Sequence, residues 1–325
     1  MRRAVVVIGA GIAGLTLAYE LSKRHQIFLF EEGQRPQGAS SLPFALLNPY
    51  RGGTARATPS DLAGLAAMRR LKTDLERQGY PSGVHFSGVL RIASSQKQAT
   101  KWQKLHPQLP YVGQADLAPS YHAPFGALWL EQGAWVEPDV LLDSLLKAAQ
   151  ARGLTYFPNT KVTGFQLHPP RVLFAQASMP CDSICFCIGA QPFPSLESYV
   201  PIPLSLHAGE VVELASEVDM PQAIAGAVYG GRRGESLYFG GNHRPPDVAD
   251  PSAPERLQRA VSWFVPELKT ARRLSVWQGV RAKKEDAQPL AQELAEGLVY
   301  FGAFAGRGFL CALSRAQRLA EGYFR

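Results

Sequence analysis

The pattern of hydrophobic and polar positions is most regular over the first 31 residues. An apolar run at Ala4–Ile8 predicts a buried strand, and apolar positions at helical spacing predict a helix over Ile12–Arg24. A second run at Gln26–Phe30 predicts another strand. Two strands joined by a helix form a βαβ unit, so this part of the chain is predicted to have an α/β fold.

The remaining pattern alternates helices and strands, then becomes strand-rich, and ends with a strand and a helix. Helices are predicted at 60–78, Asp139–Ala151, Pro254–Phe264 and Leu310–Tyr323. Strands are predicted at Val84–Ala93, Ala127–Leu130, Thr155–Phe157, Val162–Leu167, Val172–Ala175, Ser183–Ile188, Ala208–Leu214, Ala227–Tyr229, Ser236–Gly240, Leu274–Ala282 and Leu298–Phe301. This order predicts a nucleotide-binding domain assembled from 1–80, 137–200 and 275–325, and an inserted antiparallel domain formed by 81–136 and 201–274.

A glycine-rich turn connects the first strand to the first helix. In Gly9-Ala10-Gly11-Ile12-Ala13-Gly14, Gly9 permits the tight turn, Gly11 lets a pyrophosphate approach the backbone, and Gly14 allows close helix–strand packing. Glu31 ends the second strand, where its carboxylate can accept hydrogen bonds from ribose hydroxyls and repel a 2′-phosphate. The motif predicts a dinucleotide site that disfavours NADP, and by itself it does not distinguish FAD from NAD.

Composition narrows the class of protein. The chain has 325 residues, of which 46% are hydrophobic, enough for two buried cores. No apolar run approaches the roughly 20 residues that span a bilayer, so we expect no membrane insertion. Met1-Arg2-Arg3 and the apolar run after it mimic a signal peptide, but those residues form the nucleotide motif, and a cytoplasmic location is expected. The net charge of +7 fits either an ordinary surface or one that binds polyanions such as tRNA.

Four cysteines raise the question of a metal site: Cys181, Cys185, Cys187 and Cys311. Strand alternation puts Cys185 and Cys187 on one face and Ile184 and Phe186 on the other, with no histidine nearby. We therefore predict buried free thiols and no metal.

Landmarks further along the chain resemble the D-amino-acid oxidase superfamily of FAD-dependent oxidoreductases. Gly38-Ala39-Ser40-Ser41 is similar to its turn at the pyrophosphate and flavin, and Ile188-Gly189-Ala190 to its glycine turn beside the cofactor. Gly279-Val280-Arg281 resembles its Gly-x-Arg at the active-site face. Ala45–Pro49 and Ala305–Phe309 are similar to the tRNA-modifying members of the superfamily rather than to its glycine oxidases.

The resemblance implies a Rossmann-type FAD-binding domain with an inserted antiparallel-sheet substrate domain. FAD is expected to bind non-covalently, since no cysteine stands where sarcosine oxidase carries its flavin link. The implied FAD-binding residues are Gly9, Gly11, Ile12, Ala13, Gly14, Glu31, Glu32, Ser40, Ser41, Val162, Gly189, Gly306, Arg307, Gly308, Phe309 and Leu310. One departure concerns the flavin edge, where the family has Asp-Gly-x-Pro-x-x-Gly and Asp286–Gln292 lacks both glycines.

The chemistry implied by the resemblance is oxidation of a C–N bond. A substrate carboxylate needs a bidentate cation, for which Arg281 and Arg307 are candidates, and Tyr229 stands roughly where glycine oxidase binds substrate. Surface ion pairs and a core tyrosine are the competing structural interpretations. His243 is expected to be an exposed loop histidine rather than part of the pocket. The leading hypothesis is an amine oxidase acting on a glycine-like or N-substituted amino acid, with O₂ reoxidising the flavin.

Two alternatives stay open. The glycine moiety can belong to a carboxymethylaminomethyl-uridine in tRNA, a partner suggested by basic residues at Lys97, Lys101, Lys104, His106, Arg232-Arg233 and Arg272-Arg273. The second alternative is a flavin-binding protein without turnover, which only the departure at Asp286–Gln292 supports. We expect no DNA binding.

Overall fold

The structure is a computed structural model that describes residues 2–200 and 204–324. Its helices are α1 (Ile12–Leu21), α2 (Pro59–Arg77), α3 (Gln96–Leu105), α4 (Pro138–Gln150), α5 (Pro194–Glu197), α6 (Ala253–Ser262) and α7 (Gly308–Gly322). Its first ten strands are β1 (Ala4–Ile8), β2 (Gln26–Phe30), β3 (Ala45–Leu47), β4 (Val84–His85), β5 (Val89–Ile92), β6 (Tyr111–Val112), β7 (Ala127–Leu130), β8 (Ala134–Val136), β9 (Thr155–Phe157) and β10 (Gly164–Leu167). The others are β11 (Pro170–Leu173), β12 (Ser178–Pro180), β13 (Ser183–Phe186), β14 (Ser205–Ala215), β15 (Ala223–Ala225), β16 (Tyr229–Arg233), β17 (Ser236–Gly240), β18 (Arg272–Lys283), β19 (Leu290–Ala295) and β20 (Leu298–Gly302).

A six-stranded sheet carries the N-terminal βαβ unit. Its strand order is β19-β20-β13-β1-β2-β9, and all neighbours are parallel except β19 and β20. Strand β1 lies between β2 and β13, with Val5 and Val7 in the core on one face of the sheet and Val6 and Ile8 in the core on the other. Because both faces are covered, its sequence is a continuous apolar run. Helix α1 packs against α4 and α7. The parallel βαβ unit predicted from the sequence is confirmed.

An eight-stranded, mainly antiparallel sheet forms the second layer of the fold. Its order is β18-β14-β17-β16-β15-β5-β7-β6, with β15 and β5 as its parallel pair. Strands β14 and β18 run side by side from Ser205↔Lys283 to Ala215↔Arg272. This sheet matches the predicted antiparallel insertion. Strand β18 crosses the predicted domain boundary at residue 275, so the exact division of the chain into domains stays a prediction.

Two predicted strands were wrong in their extent. Val84–Ala93 is two strands in different sheets, because Gly88 turns the chain with a φ of +76° beneath the ring of Trp129. The strand predicted at Ala227–Tyr229 is a turn followed by the start of β16, with the N–H of Gly226 donating to the carbonyl of Val228. Apolar side chains that face a cleft produced the same pattern as a buried strand.

Strand β13 divides its residues between two cores as predicted. Cys185 packs with Cys187 in the core on one side of the parallel sheet, and Ile184 and Phe186 pack in the core on the other. All four cysteines are free thiols; Cys181 is half-buried and the other three are buried. Burial raises the pKa of the Cys311 thiol to about 12, so it stays protonated near neutral pH.

No helix among the described residues is long and apolar enough to cross a membrane.

Candidate active site

A cleft of about 1270 Å³ is lined by residues of both large sheets. Its walls contain nearly all of the residues predicted to bind FAD, together with Arg281, Arg307, Tyr229 and His243. Gly14 and Ser41 do not line it. The volume exceeds the roughly 300–1,000 Å³ typical of sites for drug-sized ligands, as a dinucleotide with a substrate beside it requires.

The glycine turn between β1 and α1 has little room for side chains. Gly9 has a φ of +97°, and a Cβ there would lie 2.6 Å from the carbonyl oxygen of Cys187. A Cβ on Gly14 would overlap the carbonyl oxygen of Gly9, so this glycine serves helix–strand packing rather than the cleft wall. A Cβ on Gly11 would meet the hydroxyl of Ser40 at 3.0 Å. The three glycines therefore bring backbone, not side chains, to the cleft.

The N-terminus of α1 opens into this cleft. The first intrahelical hydrogen bond runs from Leu15 to the carbonyl of Gly11, so the N–H groups of the first turn are left for a ligand or a side chain. The hydroxyl of Ser40 accepts the N–H of Ile12 at 3.0 Å. Ser41 turns away, donating to the carbonyl of Gly38 and accepting from the indole of Trp277. These donors and the positive helix end fit a pyrophosphate.

Carboxylates lie where an adenosine is expected. Glu31 follows β2, and its carboxylate accepts the N–H of Ala10 at 2.7 Å. Glu32 is exposed and pairs with Lys161 at 2.7 Å. Val162, one of the residues implied to bind FAD, is buried in the same wall. Glu31, Glu32 and Val162 therefore lie together at one end of the cleft.

The turn between β20 and α7 has an unusual backbone. Ala303 and Ala305 have φ values of +54° and +52°, a region that glycine usually occupies. The turn ends in a short 3₁₀ helix at Ala305–Arg307, and α7 begins at Gly308. A helix N-terminus therefore faces the cleft, and its dipole stabilises negative charge placed before it.

Arg281 lies between the two sheets. Its guanidinium donates to the carbonyl of Asn242 at 3.3 Å and to Nδ1 of His243 at 3.1 Å. It crosses strand β14 at Gly209, where any Cβ would overlap it. On the other side, a Cβ built on Gly306 would lie 3.6 Å from Arg281. This half-buried cation therefore reaches from the antiparallel sheet to the turn before α7.

Tyr229 and His243 complete this end of the cleft. Burial raises the pKa of the Tyr229 hydroxyl although Arg281 opposes the shift, so the hydroxyl remains a donor near neutral pH. Partial removal of the ring from water, and then the charges of Arg281, His207 and Lys283, lower the pKa of His243 to about 4. The sequence placed His243 on an exposed loop; it is exposed, and it also lines the cleft.

Arg307 does not join Arg281. Its side chain is buried, with Nη1 3.6 Å from a carboxylate oxygen of Asp61 and Nη2 donating to the carbonyl of Ala287. Asp61 is fully buried, and its other oxygen lies 3.0 Å from Arg51. The guanidinium of Arg307 is thus occupied by protein partners beneath the turn.

Sequence reasoning missed Asp61, Arg51 and Arg91, all of which contribute to this end of the site. Asp61 forms a capping box with Thr58 at the start of α2, a pattern of Thr-x-x-Asp that the sequence displays. The capping signal identifies a helix start but gives no sign that the same carboxylate pairs with Arg307, 246 positions later. Arg91 sits within an apolar strand and had no recognisable motif.

The segment that departs from the family pattern at the flavin edge contains a left-handed turn. Ala287, which stands in place of the family's first glycine, has a φ of +55°. Asp286 accepts the N–H of Gln288 at 2.8 Å and closes the turn. The turn therefore keeps a conformation that favours glycine without containing one.

The basic residues predicted to meet tRNA do not form one free surface. Lys97, Lys101 and Lys104 are exposed on α3, whereas His106 is buried and bonded to the carbonyl of Thr54. Three of the predicted arginines are engaged by the protein: Arg232 is bonded to main-chain carbonyls, Arg233 is paired with Glu137 and Asp139, and Arg273 is paired with Glu255. The fourth, Arg272, is exposed.

Comparison with known proteins identifies the family. The sequence profile of the FAD dependent oxidoreductase (DAO) family matches residues 4–321. The chain is 26% identical over 325 residues to glycine oxidase of Geobacillus kaustophilus (strain HTA426), covering 90% of this chain and 84% of that protein. It is 28% identical over 331 residues to the tRNA 5-methylaminomethyl-2-thiouridine biosynthesis bifunctional protein MnmC of Maricaulis maris (strain MCS10), covering 98% of this chain and 51% of MnmC. The chain thus spans about half the length of that bifunctional relative.

Solved structures share the fold. The crystal structure of glycine oxidase from Geobacillus kaustophilus aligns with a TM-score of 0.86 at 20% identity, covering 98% of this chain and 94% of the other. The structure of iminodiacetate oxidase (IdaA) from Chelativorans sp. BNC1 aligns with a TM-score of 0.85 at 19% identity, covering 97% and 94%. The family profile spans nearly the whole chain, including the residues that line the cleft. The chain belongs to the FAD dependent oxidoreductase (DAO) family, and FAD is its cofactor.

Proposed function

We propose that the chain oxidises the C–N bond of a glycine-like or N-substituted amino acid to an imine, with O₂ reoxidising the flavin. The observation that carries this proposal is the position of Arg281, a half-buried cation directed into the FAD cleft beside Tyr229. Similarity to glycine oxidase supports the same substrate class.

The residues proposed to hold FAD are those of the cleft wall. The first turn of α1 with Ser40 receives the pyrophosphate, and Glu31 receives the ribose hydroxyls. The N–H groups at the start of α7 would stabilise negative charge on the flavin ring. When bound, FAD would supply the acceptor for the hydride equivalent of the substrate α-carbon.

The remaining work falls to side chains of the antiparallel sheet. Arg281 binds the substrate carboxylate in a bidentate fashion, which fixes the α-carbon relative to the cofactor. Tyr229 donates its hydroxyl to the same carboxylate, as its raised pKa permits. Arg307 acts as a positioning residue: through Asp61 and Ala287 it holds the turn before α7.

The test is reduction of the flavin by candidate substrates without oxygen. The purified holoprotein is mixed anaerobically with glycine, sarcosine, D-amino acids and imino acids, and the visible absorbance of oxidised flavin is followed. At least one is expected to bleach it, and Arg281→Lys is expected to raise KM more than 10-fold because the bidentate contact is lost, in line with about 1.5–3 kcal/mol for a charged hydrogen bond. A flavin that none of them reduces excludes a free small amino acid as the substrate.

A second candidate function follows from the similarity to MnmC over almost the whole chain. Here the oxidised glycine moiety is part of a carboxymethylaminomethyl-uridine in tRNA. The exposed lysines of α3 are the available contact surface. Salt-sensitive binding of tRNA and flavin reduction by tRNA carrying that group would support this function, and their absence would exclude it. The third hypothesis, a flavoprotein without turnover, rests on the departure at Asp286–Gln292, where Ala287 has a left-handed backbone conformation that glycine favours. Absence of flavin reduction by any of these substrates would favour it.

A further inference from the structure

Two arginines outside the proposed carboxylate site also line the cleft. Arg91, on β5, is only 8% exposed, and its guanidinium donates to the carbonyls of Tyr50 (2.9 Å) and Gly52. These bonds fix the segment that carries Arg51. The side chain of Arg51 is 42% exposed and is held on one side by Asp61 at 3.0 Å. Arg51 is therefore a cation held in place at the cleft wall with part of its guanidinium accessible.

Contacts within the protein place this pair at the same end of the cleft as the proposed substrate site. Arg91 is the register partner of Ala225 in β15, and the turn after Ala225 leads directly to Tyr229. Asp61 binds Arg51 with one oxygen and Arg307 with the other, and Arg307 directly follows Gly306, the neighbour of Arg281. This chain of contacts links Arg51 and Arg281 through Asp61 and the turn before α7, and both arginines line the cleft.

Carboxylate and arginine side chains line opposite ends of the cleft. The carboxylates that line it are Glu31 and Glu32, both at the proposed adenosine end. At the other end the wall contains Arg51, Arg91, Arg281 and Arg307, and Asp61 behind the wall neutralises one charge. Burial, followed by the charge of Arg51, lowers the pKa of Arg91 to about 10, so the two cations repel each other in the structure. One substrate carboxylate on Arg281 leaves this repulsion unrelieved.

We propose that Arg51 binds a second anionic group of the substrate, so that the preferred substrate is an amino acid with acidic groups on both sides of its amine nitrogen. This inference rests on the proposed oxidation at the same site and names its substrate class. Arg281 holds the carboxylate next to the oxidised α-carbon, and Arg51 holds the acid on the nitrogen substituent. The reaction itself is unchanged: the α-carbon loses a hydride equivalent to FAD, the nitrogen loses a proton, and the C=N bond forms.

A matched pair of substrates isolates the second acid. Sarcosine and iminodiacetate share the glycine moiety and differ in that one N-methyl hydrogen is replaced by a carboxylate. The wild-type holoprotein is expected to show a kcat/KM for iminodiacetate about 10- to 100-fold above that for sarcosine, the factor that one charge-assisted contact provides. Equal values for the two substrates would overturn the proposal.

Variants of one loop separate binding from structure. Arg51→Gln is expected to lower kcat/KM for iminodiacetate about 10- to 100-fold more than it lowers kcat/KM for sarcosine, and Arg51→Lys is expected to restore part of that difference. Arg56→Gln removes an exposed arginine of the same segment, which does not line the cleft, and is the control. An Arg51→Gln variant that loses activity equally on both substrates would show that Arg51 acts only through Asp61, contrary to the proposal.

A binding measurement keeps the inference separate from the proposed reaction. Oxydiacetate carries both acids but has no amine, so its Kd by calorimetry reports the dianion site even if no compound reduces the flavin. Arg51→Gln is expected to raise that Kd about 10- to 100-fold. If no substrate is oxidised but this shift is seen, only the proposed function fails. If sarcosine is oxidised but oxydiacetate binding does not respond to Arg51→Gln, only the second acid site fails.

A tRNA-binding measurement tests the other possible role of Arg51. If Arg51→Gln loses salt-sensitive tRNA binding but keeps its iminodiacetate kinetics, Arg51 binds an RNA phosphate, and the proposal is overturned.

Discussion

Replacing Ala287 by glycine should stabilise the protein, although the same substitution usually destabilises one. Ala287 has a φ of +55° in the turn that follows β18. An L-residue with a Cβ costs about 1–2 kcal/mol in this left-handed region. Glycine removes that cost but adds freedom to the unfolded chain, which offsets about 0.4–1 kcal/mol. The net expectation for Ala287→Gly is a gain of about 1 kcal/mol in the free energy of unfolding.

The control is the same substitution at an ordinary helical position. Ala66 is exposed within α2, where glycine is about 1 kcal/mol less favourable than alanine. Equilibrium unfolding in urea, monitored by fluorescence and circular dichroism, gives both midpoints at a common m-value. The two variants should shift the midpoint in opposite directions and differ by about 2 kcal/mol.

Cofactor binding provides a second readout. The carbonyl of Ala287 accepts from Arg307, and glycine retains that carbonyl. The affinity for FAD should therefore be unchanged in Ala287→Gly. A variant that loses stability as Ala66→Gly does would refute the strain argument. Weakened FAD binding would show that the methyl group of Ala287 itself supports the turn before α7.

Three further predictions concern Gly14 at the cofactor end of the cleft, the buried ion pair between Asp61 and Arg307, and His243 in the cleft wall. Gly14→Ala should abolish FAD retention, since its Cβ would overlap the carbonyl of Gly9; the flavin-to-protein ratio after gel filtration checks this, and a normal ratio would contradict it. Asp61→Asn should lower the free energy of unfolding by about 3–5 kcal/mol by stranding the buried Arg307. Burial alone would raise the pKa of Asp61, but hydrogen bonds and neighbouring arginines lower it below 3.8. The ionised carboxylate therefore stabilises the fold fully above about pH 4, and this stabilisation is lost as the pH falls through the pKa of the folded state. Urea midpoints measured below pH 4 should show the loss in wild type and not in Asp61→Asn. His243, with a pKa of about 4, should stay neutral above pH 5, so the pH profile of kcat/KM between 5 and 7 should be the same in wild type and His243→Gln.

The dinucleotide site was predictable because its requirements are local. Gly9 needs a positive φ and Gly14 needs contact with the backbone, and both conditions restrict the residue type at a fixed distance from a strand. Glu31 directly follows the next strand, so its position follows from the length of the βαβ unit. A pattern of about 30 residues therefore carried enough information to predict both the fold of this part and its ligand class.

The substrate end was less predictable because its contacts join distant parts of the chain. Arg307 was identified as a candidate carboxylate ligand from its motif alone, but the structure pairs it with Asp61, which lies at a helix start in another segment. Arg51 carries no motif, and its position depends on hydrogen bonds from Arg91, 40 residues later. Hydrophobic periodicity records which side chains are buried, but it does not record which cation meets which carboxylate.

Strand β18 explains how the two ends of the site are coupled. Its middle pairs with β14 in the antiparallel sheet and positions Arg281, while its last residue, Lys283, forms a bridge with Phe304 in the turn before α7. Four residues later, Ala287 accepts a hydrogen bond from Arg307 in that same turn. The cation proposed to bind substrate and the turn proposed to face the flavin are thus connected through six residues of one strand and its following loop. Because this connection is short, a change in the loop after β18 that moves the carbonyl of Ala287 away from Arg307 should alter substrate affinity and flavin affinity together, whereas a change confined to Tyr229 should alter substrate affinity alone.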